Sequence, residues 1–151
     1  MLFKKTLYIL IGPQGSGKTR RAKHMQKSCE AKGWSFARIS QDDQGKQGHL
    51  DYFFNSLKNN TDVIVVDRIN HLRYQRARYS DPARKAGYSI VFFHLNIQKD
   101  VCISRMRARK DHPTISDHDD HEMIIGHYFK NFESISSEEY DELISIKDQG
   151  D

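Results

Sequence analysis

Thr6-Leu7-Tyr8-Ile9-Leu10-Ile11, followed at once by Gly12-Pro13-Gln14-Gly15-Ser16-Gly17-Lys18-Thr19, decides the reading of this 151-residue chain. The first six residues are an apolar, β-rich run, as a buried strand of a parallel sheet requires. The next eight fit the pattern G-x-x-x-x-G-K-T at every fixed position. Glycines there let backbone N–H groups turn inward onto phosphate oxygens with no Cβ in the way. Lys18 to Ala31 carries Ala22, Met25 and Cys29 at helical spacing, and Gly33 marks its stop. A helix in that place aims its positive end at the same anion. Strand, glycine loop and helix therefore predict a phosphate cradle formed by Gly12, Gly15, Ser16 and Gly17. Lys18 reaches the β- and γ-phosphates, and the Thr19 hydroxyl is a ligand for Mg²⁺.

Outward from the cradle, strand and helix patterns alternate. Ser35 to Ile39 reads as a weak strand, and Leu50, Phe53, Phe54 and Leu57 as a helical face closed by Asn59-Asn60. Asp62 to Val66 is the clearest parallel-type strand, being nearly all β-branched. His71 to Ala86 has a helical pattern that conflicts with Pro82, which should kink or break it. Ser89 to Leu95 predicts a strand and Asp100 to Lys110 a helix. Ile125, Tyr128, Phe129 and Phe132 give another helical face, and Leu143 to Ile146 a last strand. The acidic tail from Asp148 is expected to fray. Such alternation predicts an α/β fold: about five parallel strands flanked by helices, in one domain spanning 1–151.

Composition excludes some classes and leaves others open. A charged fraction of 29% against 37% hydrophobic reads as soluble and globular, with no run long enough for a membrane span and no secretion signal. Cys29 and Cys102 lack metal spacing and read as two free thiols in a reducing, intracellular compartment. A formal net charge of +4 suits an anionic partner without identifying it.

Three further groups bear on chemistry. Asp42 and Asp43 follow the second strand, at the end where open parallel sheets bind ligands. A carboxylate there can take the proton of a hydroxyl as it attacks a γ-phosphate; it can equally cap the next helix. Asp67 ends the apolar strand Val63-Ile64-Val65-Val66 and can hold a water on Mg²⁺. Arg105 and Arg109 share one helical face, with Arg107 and Lys110 extending the charge. They read either as cations that close over a transferring phosphoryl group or as a solvated basic face.

Three blocks together carry a resemblance: the Gly12–Thr19 loop, Gln41-Asp42-Asp43, and Val65-Val66-Asp67-Arg68-Ile69-Asn70-His71. From about Leu7 to Arg109 the chain resembles the 5′-hydroxyl polynucleotide kinases of nucleic-acid repair, including the kinase domains of fungal tRNA ligase and of the phage and mammalian enzymes. The last two blocks look closest to the tRNA ligase kinase, and Arg76-Ala77-Arg78-Tyr79 to Ala86-Gly87 to the mammalian one. The resemblance implies a P-loop kinase that moves the γ-phosphate of ATP or GTP, with Mg²⁺, to a 5′-hydroxyl end, RNA ahead of DNA. A separate ligase would use the product.

By that resemblance Asp42 is the general base and Asp43 a helper or helix cap. Lys18 and Thr19 serve the phosphates and Mg²⁺, Arg109 is the lid arginine and Arg105 a second. Asp67 and Asn70 match the block after the third strand. The phage enzyme has an arginine three residues beyond its base, where it holds the acceptor's phosphate; this chain has Gly45 there. Lys46 or Arg68 is the substitute expected. Two other classes share the framework: a kinase for a nucleoside or other small metabolite, and a non-catalytic nucleotide-binding module.

Weaker features read blandly. His112, His118, His121 and His127 are surface or lid residues before they are metal ligands. Phe53, Phe54, Phe129 and Phe132 are expected in the core, while Tyr52 and Tyr74 are available to stack on a base. Arg73, Arg76, Arg78, Arg84 and Lys85 are candidates for following a nucleic-acid backbone, though helical geometry lets only some share a face. Ser136-Ser137-Glu138-Glu139 is a helix start or turn.

Overall fold

The structure is a computed structural model and describes residues 4–109 and 120–147. Five strands form one sheet: β1 (Thr6–Ile11), β2 (Phe36–Ile39), β3 (Val63–Val66), β4 (Ser89–Asn96) and β5 (Glu142–Lys147). Their order is β2-β3-β1-β4-β5 and every pairing is parallel. The helices are α1 (Lys18–Lys32), α2 (Gln41–Gln44), α3 (Lys46–Lys58), α4 (Arg73–Lys85), α5 (Lys99–Ala108) and α6 (Asp120–Asn131). This is the parallel α/β architecture expected from the alternating pattern.

Alternation along each central strand divides the core in two. Leu7, Ile9 and Ile11 of β1, Ile64 and Val66 of β3, and Ile90 and Phe92 of β4 pack with Phe53 and Leu57 of α3 and Tyr79 and Ala83 of α4. Leu10, Val63, Val65, Phe93 and Leu95 face the other way, against Ala22 of α1, Met106 of α5 and Ile125 of α6. Each large side chain buried this way contributes roughly 1.5–3 kcal/mol. The sheet is therefore covered on both faces, and its binding edge is the one at the carboxyl ends of the strands. Register aligns those ends: Ile39 pairs with Val66, and Val66 with Ile9. Gly12, Ser40 and Asp67 consequently leave the sheet near one another.

Several local expectations are revised. The helix expected over His71 to Ala86 forms as α4, and Pro82 does not break it. The carbonyl that loses its donor belongs to exposed Arg78, where water can reach it, and buried Tyr79, Ser80 and Ala83 hold the helix down on both sides of the proline. α5 stops at Ala108, with Arg109 as its extended cap, so Lys110 lies outside the described residues. Phe54 and Phe129 are not core; they are 49% and 38% exposed, because each helix turns the neighbouring Phe53 or Tyr128 inward instead. Asp42 and Asp43 do not cap a helix but form a one-turn helix, α2, whose cap is Ser40: its hydroxyl accepts from the Asp43 amide at 3.4 Å.

Arg76 is also revised. It is fully buried and cannot follow a nucleic-acid backbone. Its Nε donates to Glu139 at 2.9 Å, and its other nitrogens to the carbonyls of Asn70, Glu133 and Ser134. Ser136 to Glu139 is a capped turn, as expected, and Glu139 is the carboxylate that neutralises this arginine.

Candidate active site

The loop after β1 owes its shape to two glycines. Gly15 has φ 81° and Gly17 φ 96°, in the left-handed region, and Gly17 caps α1. A Cβ on Gly15 would also come within 2.6 Å of the Cys102 carbonyl oxygen, so the loop lies tightly on α5. The Ser16 hydroxyl donates to the Pro13 carbonyl at 2.7 Å and Lys18 Nζ to the same oxygen at 2.8 Å. Arg105 donates to the Gly15 carbonyl at 3.3 Å, which places it behind the loop. Gly12 N–H donates to the Ile69 carbonyl at 3.1 Å, joining the loop to the segment after β3.

An open cleft of about 740 Å³ lies over this loop. Gly15, Gly17, Lys18, Thr19, Asp42, Asp67, Arg68 and Arg109 all line it. Burial lowers the Lys18 pKa to about 8; Asp67 and Asp42 work against that shift and Arg109 adds to it. Both carboxylates and Arg109 thus lie within electrostatic reach of the lysine. Thr19 Oγ1 donates to Asp67 Oδ2 at 3.1 Å.

Arg38, which the sequence reading passed over, also lines the cleft. Its Nε donates to Asp67 Oδ2 at 2.8 Å, and its outer nitrogens pair with Asp67 and Asp43. Burial pulls the guanidinium pKa down, but the bonds to Asp67 and Asp43 outweigh it and hold the pKa above its ordinary value. The one signal was an arginine inside the otherwise apolar strand Phe36-Ala37-Arg38-Ile39. Thr19, Asp67, Arg38 and Asp43 form a continuous polar chain across the ends of β3 and β2. It engages Asp43 and leaves Asp42 as the aspartate of that pair lining the cleft.

Other predicted residues sit elsewhere. Asn70, with φ 49°, is 1% exposed, and its amide donates to the Leu10 carbonyl at 2.8 Å, holding the loop to β1. Lys46 is exposed at the start of α3 and does not line the cleft. Tyr52 and Tyr74 are 39% and 66% exposed. His121 is buried and His127 exposed, whereas His112 and His118 lie outside the described residues.

The donor set fits a nucleoside triphosphate with Mg²⁺. The loop leads into the N-terminus of α1 and offers a partly buried lysine, and the Thr19 hydroxyl and Asp67 carboxylate stand together as oxygen ligands of the type Mg²⁺ takes. Arg38 already neutralises part of the Asp67 charge, so a cation there would share that carboxylate.

Fold and loop together define a domain of the P-loop kinase fold. Similar solved structures agree. A fungal RNA kinase superposes with a TM-score of 0.69 over 97% of this chain and 39% of that one, at 15% identity. Kti12 of Chaetomium thermophilum, in complex with ADP-AlF3, gives 0.67 over 96% and 90% at 15% identity. A gluconokinase from Sinorhizobium meliloti gives 0.57 over 100% and 86% at 18% identity. The chain thus spans well under half the length of the fungal RNA kinase. No family model matches the chain, and no curated protein sequence does so significantly.

Proposed function

We propose that the chain is a nucleoside-triphosphate-dependent kinase that phosphorylates the 5′-hydroxyl end of a polynucleotide, RNA ahead of DNA. The observation that carries this reading is the meeting in one cleft of Lys18 and Thr19, the carboxylate of Asp42, and the cations Arg38, Arg68 and Arg109. The likeness to a fungal RNA kinase supports it.

In this mechanism the loop amides and Lys18 bind the donor's β- and γ-phosphates, and Arg109 closes on the phosphoryl group as charge develops there. Thr19 and Asp67 are the residues that would hold Mg²⁺, which would neutralise phosphate charge. Asp42 accepts the proton of the 5′-hydroxyl as that oxygen attacks the γ-phosphorus and the bond to the β-phosphate oxygen breaks. Arg68 holds the acceptor's neighbouring phosphate, the work expected of an arginine beyond the base. Arg105 supports the loop through the Gly15 carbonyl, and Asp43 steadies Arg38. A separate intracellular ligase would take the 5′-phosphate product.

The test is label transfer from γ-labelled ATP and GTP, with Mg²⁺, to RNA and DNA oligonucleotides bearing 5′-hydroxyls. Transfer is expected with at least one donor and strongest on RNA. Transfer to a nucleoside or sugar but to no oligonucleotide would move the assignment to a small-molecule kinase. Triphosphate binding without transfer to any acceptor would leave a nucleotide-binding module.

A pH effect follows from Lys18. Its pKa is lowered to about 8, and phosphates placed beside the ammonium favour its charged form. Donor binding should therefore take up a proton as pH rises through that value, and affinity should fall above it. At pH 7 the lysine is already protonated and uptake from it should vanish. Calorimetry in two buffers of different ionisation enthalpy reads the proton count; equal uptake at both pH values would contradict the assignment.

A further inference from the structure

Arg68 is held by a chain of hydrogen bonds whose central pair, Tyr79 and His49, is buried. Its Nη1 donates to the Tyr79 hydroxyl at 2.9 Å, and that hydroxyl lies 2.9 Å from His49 Nε2. His49 Nδ1 lies 3.1 Å from the Gly45 carbonyl. Tyr79 and His49 are both fully buried, and Phe53 meets the tyrosine ring edge-on at 5.3 Å.

The donors can run in one direction. A guanidinium only donates, so the phenol oxygen accepts from Arg68 and turns its own proton to His49 Nε2. The imidazole is then the neutral tautomer with its proton on Nδ1, which donates to Gly45. Gly45 joins α2 to α3, with φ 83°, and its N–H caps α2 by donating to the Gln41 carbonyl at 2.8 Å. Its carbonyl also accepts from the His49 amide at 3.0 Å. The chain thus ties the cleft arginine after β3 to the one-turn helix that carries Asp42, through Tyr79 and His49, whose side chains have no solvent contact.

We propose that the His49–Tyr79 pair is a positioning device that sets Arg68 at a fixed reach from Asp42, so that the site selects acceptors bearing a phosphate beside the hydroxyl to be phosphorylated. This rests on the function proposed above. It gives Gly45 a reason at that place: the cation comes from the β3 loop, and the residue beyond the base becomes the joint of the relay. Packing alone would require a ring at residue 79, as phenylalanine provides; the hydroxyl matters because one of its two partners is a cleft cation.

Tyr79→Phe keeps the ring and removes the link. It should raise the KM of a 5′-hydroxyl oligonucleotide or a nucleoside 3′-monophosphate about tenfold, the usual worth of a hydrogen bond to a charged group. The kcat, the donor KM and turnover of a nucleoside lacking phosphate should stay within about twofold. In an Arg68→Ala background Tyr79→Phe should add nothing, because it acts through the arginine. Should Tyr79→Phe not fold, His49→Asn keeps a donor for Gly45, removes the acceptor for the phenol and makes the same test.

An unchanged acceptor KM, an equal loss on acceptors with and without phosphate, or full additivity with Arg68→Ala would each overturn the inference. Those results leave the proposed function standing if the unmodified protein phosphorylates oligonucleotides. Failure of the unmodified protein to do so would overturn both.

Discussion

Asp42→Asn should lower kcat at least about a hundredfold while leaving triphosphate affinity within about twofold, because a positioned general base contributes roughly 10²–10⁴ in rate and does not bind the donor. The amide is isosteric and cannot accept the hydroxyl proton. Asp42 lines the cleft and is close enough to Lys18 for its charge to raise the lysine's pKa. Its neighbour differs: Asp43 pairs with Arg38 and does not line the cleft. Asp43→Asn should therefore act weakly on turnover. Single-turnover transfer beside equilibrium binding of a fluorescent triphosphate separates chemistry from donor binding. Near-normal turnover of Asp42→Asn, or a larger loss in Asp43→Asn, would remove Asp42 from the role of base.

Arg76→Leu should destabilise the fold by about 3–5 kcal/mol, the range for removing one partner of a buried ion pair. Arg76 has no solvent exposure and the Glu139 side chain has 8%, so the mutation leaves a carboxylate desolvated without its cation. It also removes donors from the carbonyls of Asn70, Glu133 and Ser134. Those contacts staple the segment before β5 to the loop that follows β3, so β5 is the strand expected to loosen first. Arg76→Leu with Glu139→Leu should recover part of the loss, since two apolar groups leave no buried charge. Urea unfolding of the single and double variants measures this. A single-variant loss under about 1 kcal/mol, the size of an exposed pair, would show that the pair carries little of the stability.

The sequence by itself determined whatever depends on neighbours along the chain. The β-rich run Thr6–Ile11, the glycines before Lys18-Thr19 and the β-branched run Val63–Val66 make the strand–loop–helix unit and the parallel sheet legible, because backbone freedom and alternation are local properties. The placing of carboxylates at strand ends is local too, so Asp42 and Asp67 could be singled out before any coordinates. Only the tertiary structure decided which charges meet. Arg38 acquires its role because β2 lies beside β3, which sets its guanidinium on Asp67, 29 residues away along the chain. Arg76 is a surface cation by pattern and a buried one in fact, because a carboxylate 63 residues later folds over it. Tyr79 and His49 look like ordinary core residues until α3 and α4 bring the hydroxyl and imidazole together behind Arg68. Partners of this kind are set by strand order and helix packing, and residue type or spacing does not encode them.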